Sequence, residues 1–270
     1  MSAAADPDQV VASVLAEGRI DVEARVLPAS NVTLVGRESA GDESVRCVYK
    51  PVRGERPLWD FPDGTLAGRE VAAYAVSEAL GWGVVPLTIE RDGPLGPGMV
   101  QLWCETVPGV RPVDVVPRGE VPEGFVDVLD ARDEDDRPVS LVHENSAGLR
   151  RMAVFDAVVN NADRKGGHVL AVDDGRRLGV DHGVCFHVDP KLRTVLWGWA
   201  TLPLLDDEVA ALTRLLERLH RGTDPLPTRL AGLISRREVS ALTQRCEHLL
   251  THRRMPLPGA EWPSIPWPAF

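Results

Sequence analysis

A chain of 270 residues with 44% hydrophobic side chains is long enough to bury a core and enclose a cleft. Its formal net charge of −10 argues against nucleic acid or an anionic membrane surface as the main partner, since both reward clustered Lys and Arg. No apolar run is long enough to span a bilayer and the first residues carry no basic leader, so stable membrane insertion is excluded and a cytoplasmic location is expected.

Residues 8–17 place apolar side chains at helical spacing and stop at Gly18. Three β-like runs follow, 20–27, 32–35 and 45–50, separated by Pro28 to Asn31 and by the polar stretch Arg37 to Glu43, which predicts an antiparallel meander. Lys50 stands at the end of the last run, before Pro51. TLAGREVAAYAVSEAL, residues 65–80, predicts a helix capped by Thr65, closed by Gly81 and carrying Glu70 one to two turns in. Residues 84–90 read as a strand, 92–98 as a Gly-Pro-rich turn and 99–104 as an apolar strand. The exit of that strand, Gln101-Leu102-Trp103, suits a hinge where backbone groups meet a purine edge, although Trp103 equally suits a core. The Pro-, Asp- and Glu-rich stretch 112–138 reads as an acidic surface insertion with little regular structure.

An apolar helix is expected over about 146–159, followed by the polar loop Asn160, Asn161, Asp163, Arg164, Lys165 and the pair Gly166-Gly167, where the backbone turns sharply. Asp174-Gly175 then lies between two alternating runs and predicts a two-residue type I′ hairpin turn. That register sets Asp173 opposite Arg176, Val169 opposite Val180, and His168 opposite Asp181. An imidazole and a carboxylate thus face each other at the hairpin mouth, with a second carboxylate, Asp163, on the loop before it. A metal–phosphate site needs this inventory: hard ligands for a cation, few of them because phosphates and water supply the rest, and a separate acid for the attacking hydroxyl. Farther on, 206–220 and 236–252 read as amphipathic scaffold helices, and the proline-rich tail as extended. Cys47, Cys104, Cys185 and Cys246 lack CxxC spacing and read as reduced thiols.

With Lys50, Glu70, the Gln101-Leu102-Trp103 exit strand, Asp163 and Asp181 in that order, residues 30–200 resemble the phosphatidylinositol 3- and 4-kinase superfamily, in particular an uncharacterised actinobacterial branch. The resemblance implies an α+β, two-lobed protein-kinase-like fold. An antiparallel-sheet small lobe (1–106) would carry the nucleotide, and a mainly helical large lobe (107–270) would hold the catalytic loop and a metal-binding β-hairpin. It implies Lys50 as the phosphate-binding lysine and Glu70 as its partner. Asn161-Ala162-Asp163-Arg164 resembles the Asp-Arg catalytic loop, with Asp163 addressing the acceptor hydroxyl. Val180-Asp181-His182-Gly183 resembles the Asp-x-Gly metal motif, with Asp181 as a ligand. His168 stands where that family carries asparagine as the other metal ligand, and an imidazole shifts preference from magnesium toward manganese.

The expectation is an ATP-dependent phosphotransferase using Mg2+ or Mn2+, with a protein or small molecule favoured over lipid as acceptor. Its alternative is a nucleotide-binding pseudokinase without turnover. A third reading, a metal-dependent hydrolase, would need His168, Asp181, His182 and His187 together.

Overall fold

The computed structural model describes residues 7–27, 31–259 and 263–270. It is a mixed α/β protein with antiparallel sheets and, among the described residues, six α-helices. Helix α1 (Pro7–Glu17) leads into β1 (Arg19–Arg25), β2 (Leu34–Ala40) and β3 (Glu43–Pro51). With β4 (Thr88–Gly93) and β5 (Gly96–Leu102), these form one sheet in the order β1-β2-β3-β5-β4. The expected meander is present, though the break at Pro28 to Ser30 lies outside the described residues. The break expected over Arg37 to Glu43 shrinks to a two-residue turn at Gly41-Asp42, with Ala40 opposite Glu43. Glu38 explains the difference: it lies buried inside strand β2 because Arg91 Nη1 meets its carboxylate at 2.8 Å, a partner 53 residues away that no local pattern reveals.

Alternation along β3 sends Cys47 and Tyr49 to a core shared with Leu15 of α1, and Lys50 to the opposite face. Helix α2 (Leu66–Leu80) begins where Thr65 Oγ1 accepts from Gly68 N and ends at Gly81 in the left-handed conformation. Glu55 accepts from both Leu66 N and Ala67 N, a carboxylate at the positive end of the helix.

The acidic stretch expected to be irregular is instead a three-stranded antiparallel sheet, β6 (Val113–Pro117), β7 (Phe125–Arg132) and β8 (Pro138–Glu144), in the order β6-β8-β7. Its charges concentrate in the β7–β8 turn, where Asp133 accepts from the backbone of Asp135 and Arg137 and from the Arg137 side chain.

Helix α3 (Ala147–Val159), capped by Ser146, sits in the main apolar core with α2, α4 (Asp206–His220), α5 (Pro225–Leu233) and α6 (Arg236–His252). The short β9 (Val169–Ala171) and β10 (Arg177–Gly179) form a separate hairpin. Its register is one residue from the expected one: Ala171 faces Arg177, Leu170 faces Leu178 and Val169 faces Gly179. Gly175, at φ 82°, takes up the extra loop residue in the left-handed region, the geometry of a three-residue hairpin loop rather than a two-residue one. Asp181 does not oppose His168 in the ladder. Val180 N donates to His168 O at 3.0 Å instead, and Asp181 follows at φ 62°.

Candidate active site

Lys50, at the end of β3, reaches across to α2 and to the hairpin mouth. Its Nζ donates to Glu70 Oε1 at 2.6 Å and to Asp181 Oδ1 at 2.8 Å. The second oxygen of Asp181 lies 3.4 Å from His168 Nε2. The positive φ at Asp181 turns the chain back after Val180, and this restores the His168–Asp181 meeting that the shifted register would have lost.

Burial differs across the cluster. Glu70 is buried, Lys50 and His168 are mostly covered, and the Asp181 side chain is 52% exposed. Burial works to lower the Lys50 ammonium, but Asp181 and Glu70 together hold it above its ordinary range. Lys50 in turn holds the Asp181 carboxyl well below the usual range, against burial. Burial pushes His168 down to about 4, with Asp181 opposing, so the imidazole is neutral at pH 7.

The loop after α3 is fixed by side chains. Asn160 ends the helix at φ 54°. Asn161 donates to Asp156 Oδ1 and accepts from Asp163 N, each at 3.0 Å. Asp163 is partly covered; burial raises its carboxyl while Lys165, 3.6 Å away, opposes.

Arg164 is fully buried and spends its guanidinium on four groups. It pairs with Asp156, donates to the carbonyl oxygens of His168 and Val180, and donates to His182 Nε2 at 2.7 Å. One residue thereby fixes the backbone at His168 on one arm and just before Asp181 on the other. Gly179 is required beside it, since a Cβ there would lie 2.9 Å from an Arg164 nitrogen. His182 also links the site to α2, its N–H donating to Glu70 Oε2 at 2.8 Å.

Local sequence pattern assigns Arg164 no role of its own and does not single out Asp156. The signal was there in Asp156, a lone carboxylate within the apolar run MAVFDAVV, because a buried acid demands a buried partner.

The structure therefore brings Lys50, Glu70, Asp181 and His168 together, with Asp163 on the adjoining loop. Gln101, Leu102 and Trp103 lie on β5 and at its exit. The Gln101 amide donates to Thr88 Oγ1, Leu102 N donates to Leu87 O, and Trp103 N donates to Arg46 O. The linker beyond them joins the hairpin where Val107 N donates to Ala171 O at 2.9 Å. The four-residue hydrolase set is not assembled: His182 is buried against Arg164, and His187 packs edge-to-face on Phe61.

Fold and site define a mixed α/β protein in which a lysine on a strand end, a helix carboxylate and a hairpin carboxylate–imidazole pair converge. The chain belongs to the family of Protein Rv2133c of Mycobacterium tuberculosis, being 50% identical to it over 267 residues, 96% of this chain and 95% of that protein. No protein-family model matches it. Among solved structures, the Helicobacter pylori proinflammatory kinase CtkA is similar at 12% identity and a TM-score of 0.41, over 89% of this chain and 94% of that one.

Proposed function

We propose that the chain is an ATP-dependent phosphotransferase of the phosphatidylinositol 3-/4-kinase-like kind, with residues 1–106 as a small nucleotide lobe and 107–270 as a large lobe. One observation carries the reading: Lys50 bridges Glu70 and Asp181, while His168 meets the other oxygen of Asp181. Lys50 is held in place by buried Glu70, and its other partner is a half-exposed carboxylate. The phosphates of ATP would replace Asp181 on the ammonium, freeing Asp181 for a cation.

The residues present fit a divalent ion. His168 is neutral, as a ligand must be, and its Nε2 stands 3.4 Å from Asp181 Oδ2, near the spacing of about 3 Å between adjacent ligands of an octahedral cation. Among the described residues no group of three or more His, Cys, Asp or Glu side chains forms a metal site, so phosphate and water would complete the shell. Magnesium or manganese bound there would neutralise charge on the phosphates. Asp163 would orient the acceptor hydroxyl, and its raised carboxyl suits a group that accepts a proton in passing. Gln101, Leu102 and Trp103 would border the purine at the exit of β5.

A nucleotide-binding module without turnover is the second reading, favoured by the imidazole at His168, a softer ligand than an amide oxygen. Calorimetric ATP titration with magnesium and then manganese, on wild type, Lys50→Ala and Asp181→Asn, tests the core of both. Metal-dependent binding lost in both variants is expected; no binding with either metal would sink the nucleotide site. Transfer of labelled γ-phosphate, abolished in Asp163→Asn with ATP binding retained, separates the kinase from the module.

A further inference from the structure

In the proposed reaction phosphate takes Lys50 from Asp181, so something other than Lys50 must then keep Asp181 facing His168. The backbone that follows Asp181 is held by two adjacent residues of α2. Glu70 Oε2 accepts from His182 N at 2.8 Å, and Arg69 Nη1 donates to Cys185 O at 3.2 Å. An acid and a base side by side on one helix turn thus grip residues 182–185 at both ends, one through an N–H and the other through a C=O. Just beyond, Phe186 N donates to Val159 O at the end of α3 at 2.6 Å.

Arg69 has a second set of partners. Nη1 also pairs with Glu238 of α6, and Nη2 donates to Asp63 O at 2.7 Å. Arg69 is 1% exposed and Glu238 5%. Glu238 is itself fixed, because its other oxygen accepts from Ser235 N and Ser235 Oγ, each at 2.9 Å, in the capping box of α6. One residue before Arg69, Gly68 lets α2 meet the end of α5 at backbone distance: a Cβ there would lie 2.7 Å from Leu233 O. The start of α2 is therefore fastened to α5 and α6 through residues 68 and 69, and Glu70 comes next in the chain.

A buried ion pair adds little net stability over apolar residues of the same volume, since desolvation offsets the attraction. What it supplies is direction, through charge-assisted hydrogen bonds of fixed geometry. The molecule holds a matched pair for comparison. Arg150 and Glu208 join α3 to α4 in the same buried manner, but their side chains otherwise bond only to Pro203 O and Leu205 N. We propose that Arg69 and Glu238 are positioning residues that hold the 182–185 segment to a fixed helix, so that Asp181 stays at the hairpin mouth when it exchanges Lys50 for a cation. The exchange rests on the phosphotransferase reading, whereas the grip on the segment does not.

The test compares the full chain in four forms: wild type, Arg69→Met, the double variant Arg69→Met with Glu238→Gln, and the double variant Arg150→Met with Glu208→Gln. The double variants remove both charges, so neither leaves an unpaired ion in the core. Hydrogen exchange at the amides of His182 and Phe186 is read by NMR against the amides of β2, and ATP–manganese affinity by calorimetry. Both Arg69 variants should exchange these two amides at least tenfold faster and bind ATP–manganese at least tenfold more weakly, while the Arg150 variant stays within about twofold on both readouts. Unchanged exchange in the Arg69 double variant overturns the proposal, as does faster exchange with unchanged ATP affinity. An equal loss in the Arg150 variant also overturns it, because the effect would then be general loosening. Faster exchange confined to the Arg69 variants, in a protein whose wild type binds no ATP, upholds the grip and sinks the phosphotransferase.

Discussion

Two charged clusters meet at the mouth of the β9–β10 hairpin and are built on opposite principles. In the first, Asp156, Arg164 and His182 are fully buried, and Arg164 is paired with a carboxylate, two carbonyls and an imidazole. In the second, Lys50 and Glu70 carry Asp181, whose side chain is half in solvent. The first has no spare bonding capacity in water and can only hold shape. The second can exchange partners, as a ligand site requires. Asp163 and Arg164 are neighbours in the chain, yet Arg164 is fully buried in the first cluster while Asp163 is only partly covered, beside Lys165.

Breaking the buried cluster should have the largest effect on stability. Asp156→Ala leaves the Arg164 guanidinium buried without its carboxylate, a change that costs about 3–5 kcal/mol where buried pairs lose one partner. Urea unfolding should show the loss, and the carbonyls of His168 and Val180 should lose their fixed spacing with it. A loss below about 1 kcal/mol would mean that the hairpin mouth does not depend on this pair.

A smaller effect distinguishes the clusters by pH. The folded pKa of His168, about 4, lies below the ordinary 6.5, so the unfolded chain takes up the proton first. Its contribution is complete above pH 6.5 and is lost as pH falls toward 4, which amounts to about 2 kcal/mol between pH 8 and pH 5. His182 is also held low and works in the same direction, so His168→Asn should flatten part of the decline. Unfolding of both proteins at pH 8 and pH 5 checks this; identical pH slopes would contradict it.

Much of the scaffold was legible because its signals are local. Thr65 and Gly81 bound α2 as their chemistry dictates, and Ser146 opens α3. Lys50, Glu70, His168 and Asp181 were nameable from chain order and resemblance, and they come together. What escaped depends on distant partners or on a single residue of phase. Glu38 sits buried in β2 against Arg91, a partner 53 residues away, and Val126 and Val128 mark a strand that the surrounding acids obscured. The hairpin shows the limit most clearly, since Asp-Gly is compatible with a loop of two residues or three and the ladder chose three. Gly175→Ala sharpens that point. No atom lies within 4 Å of the added Cβ, so the cost is only that of the left-handed backbone, about 1–2 kcal/mol, with nucleotide binding unchanged. A stability change near zero would mean that the loop had reverted to another turn.

Asp181→Asn should disturb stability least and function most. Its carboxylate is half-exposed, so removing its charge forgoes an ion pair worth below about 1 kcal/mol, while Lys50 keeps Glu70. Asparagine also tolerates the left-handed backbone at φ 62°, where alanine would add strain and blur the comparison. The amide cannot supply the negative charge that would face a cation beside His168, so metal-dependent ATP binding should fall below detection in a protein that unfolds at nearly the wild-type urea concentration. Stability lost along with binding would make Asp181 part of the scaffold, and the contrast between the two clusters would collapse. Binding retained would remove the cation from the hairpin mouth and leave Lys50 with Glu70 as a structural pair.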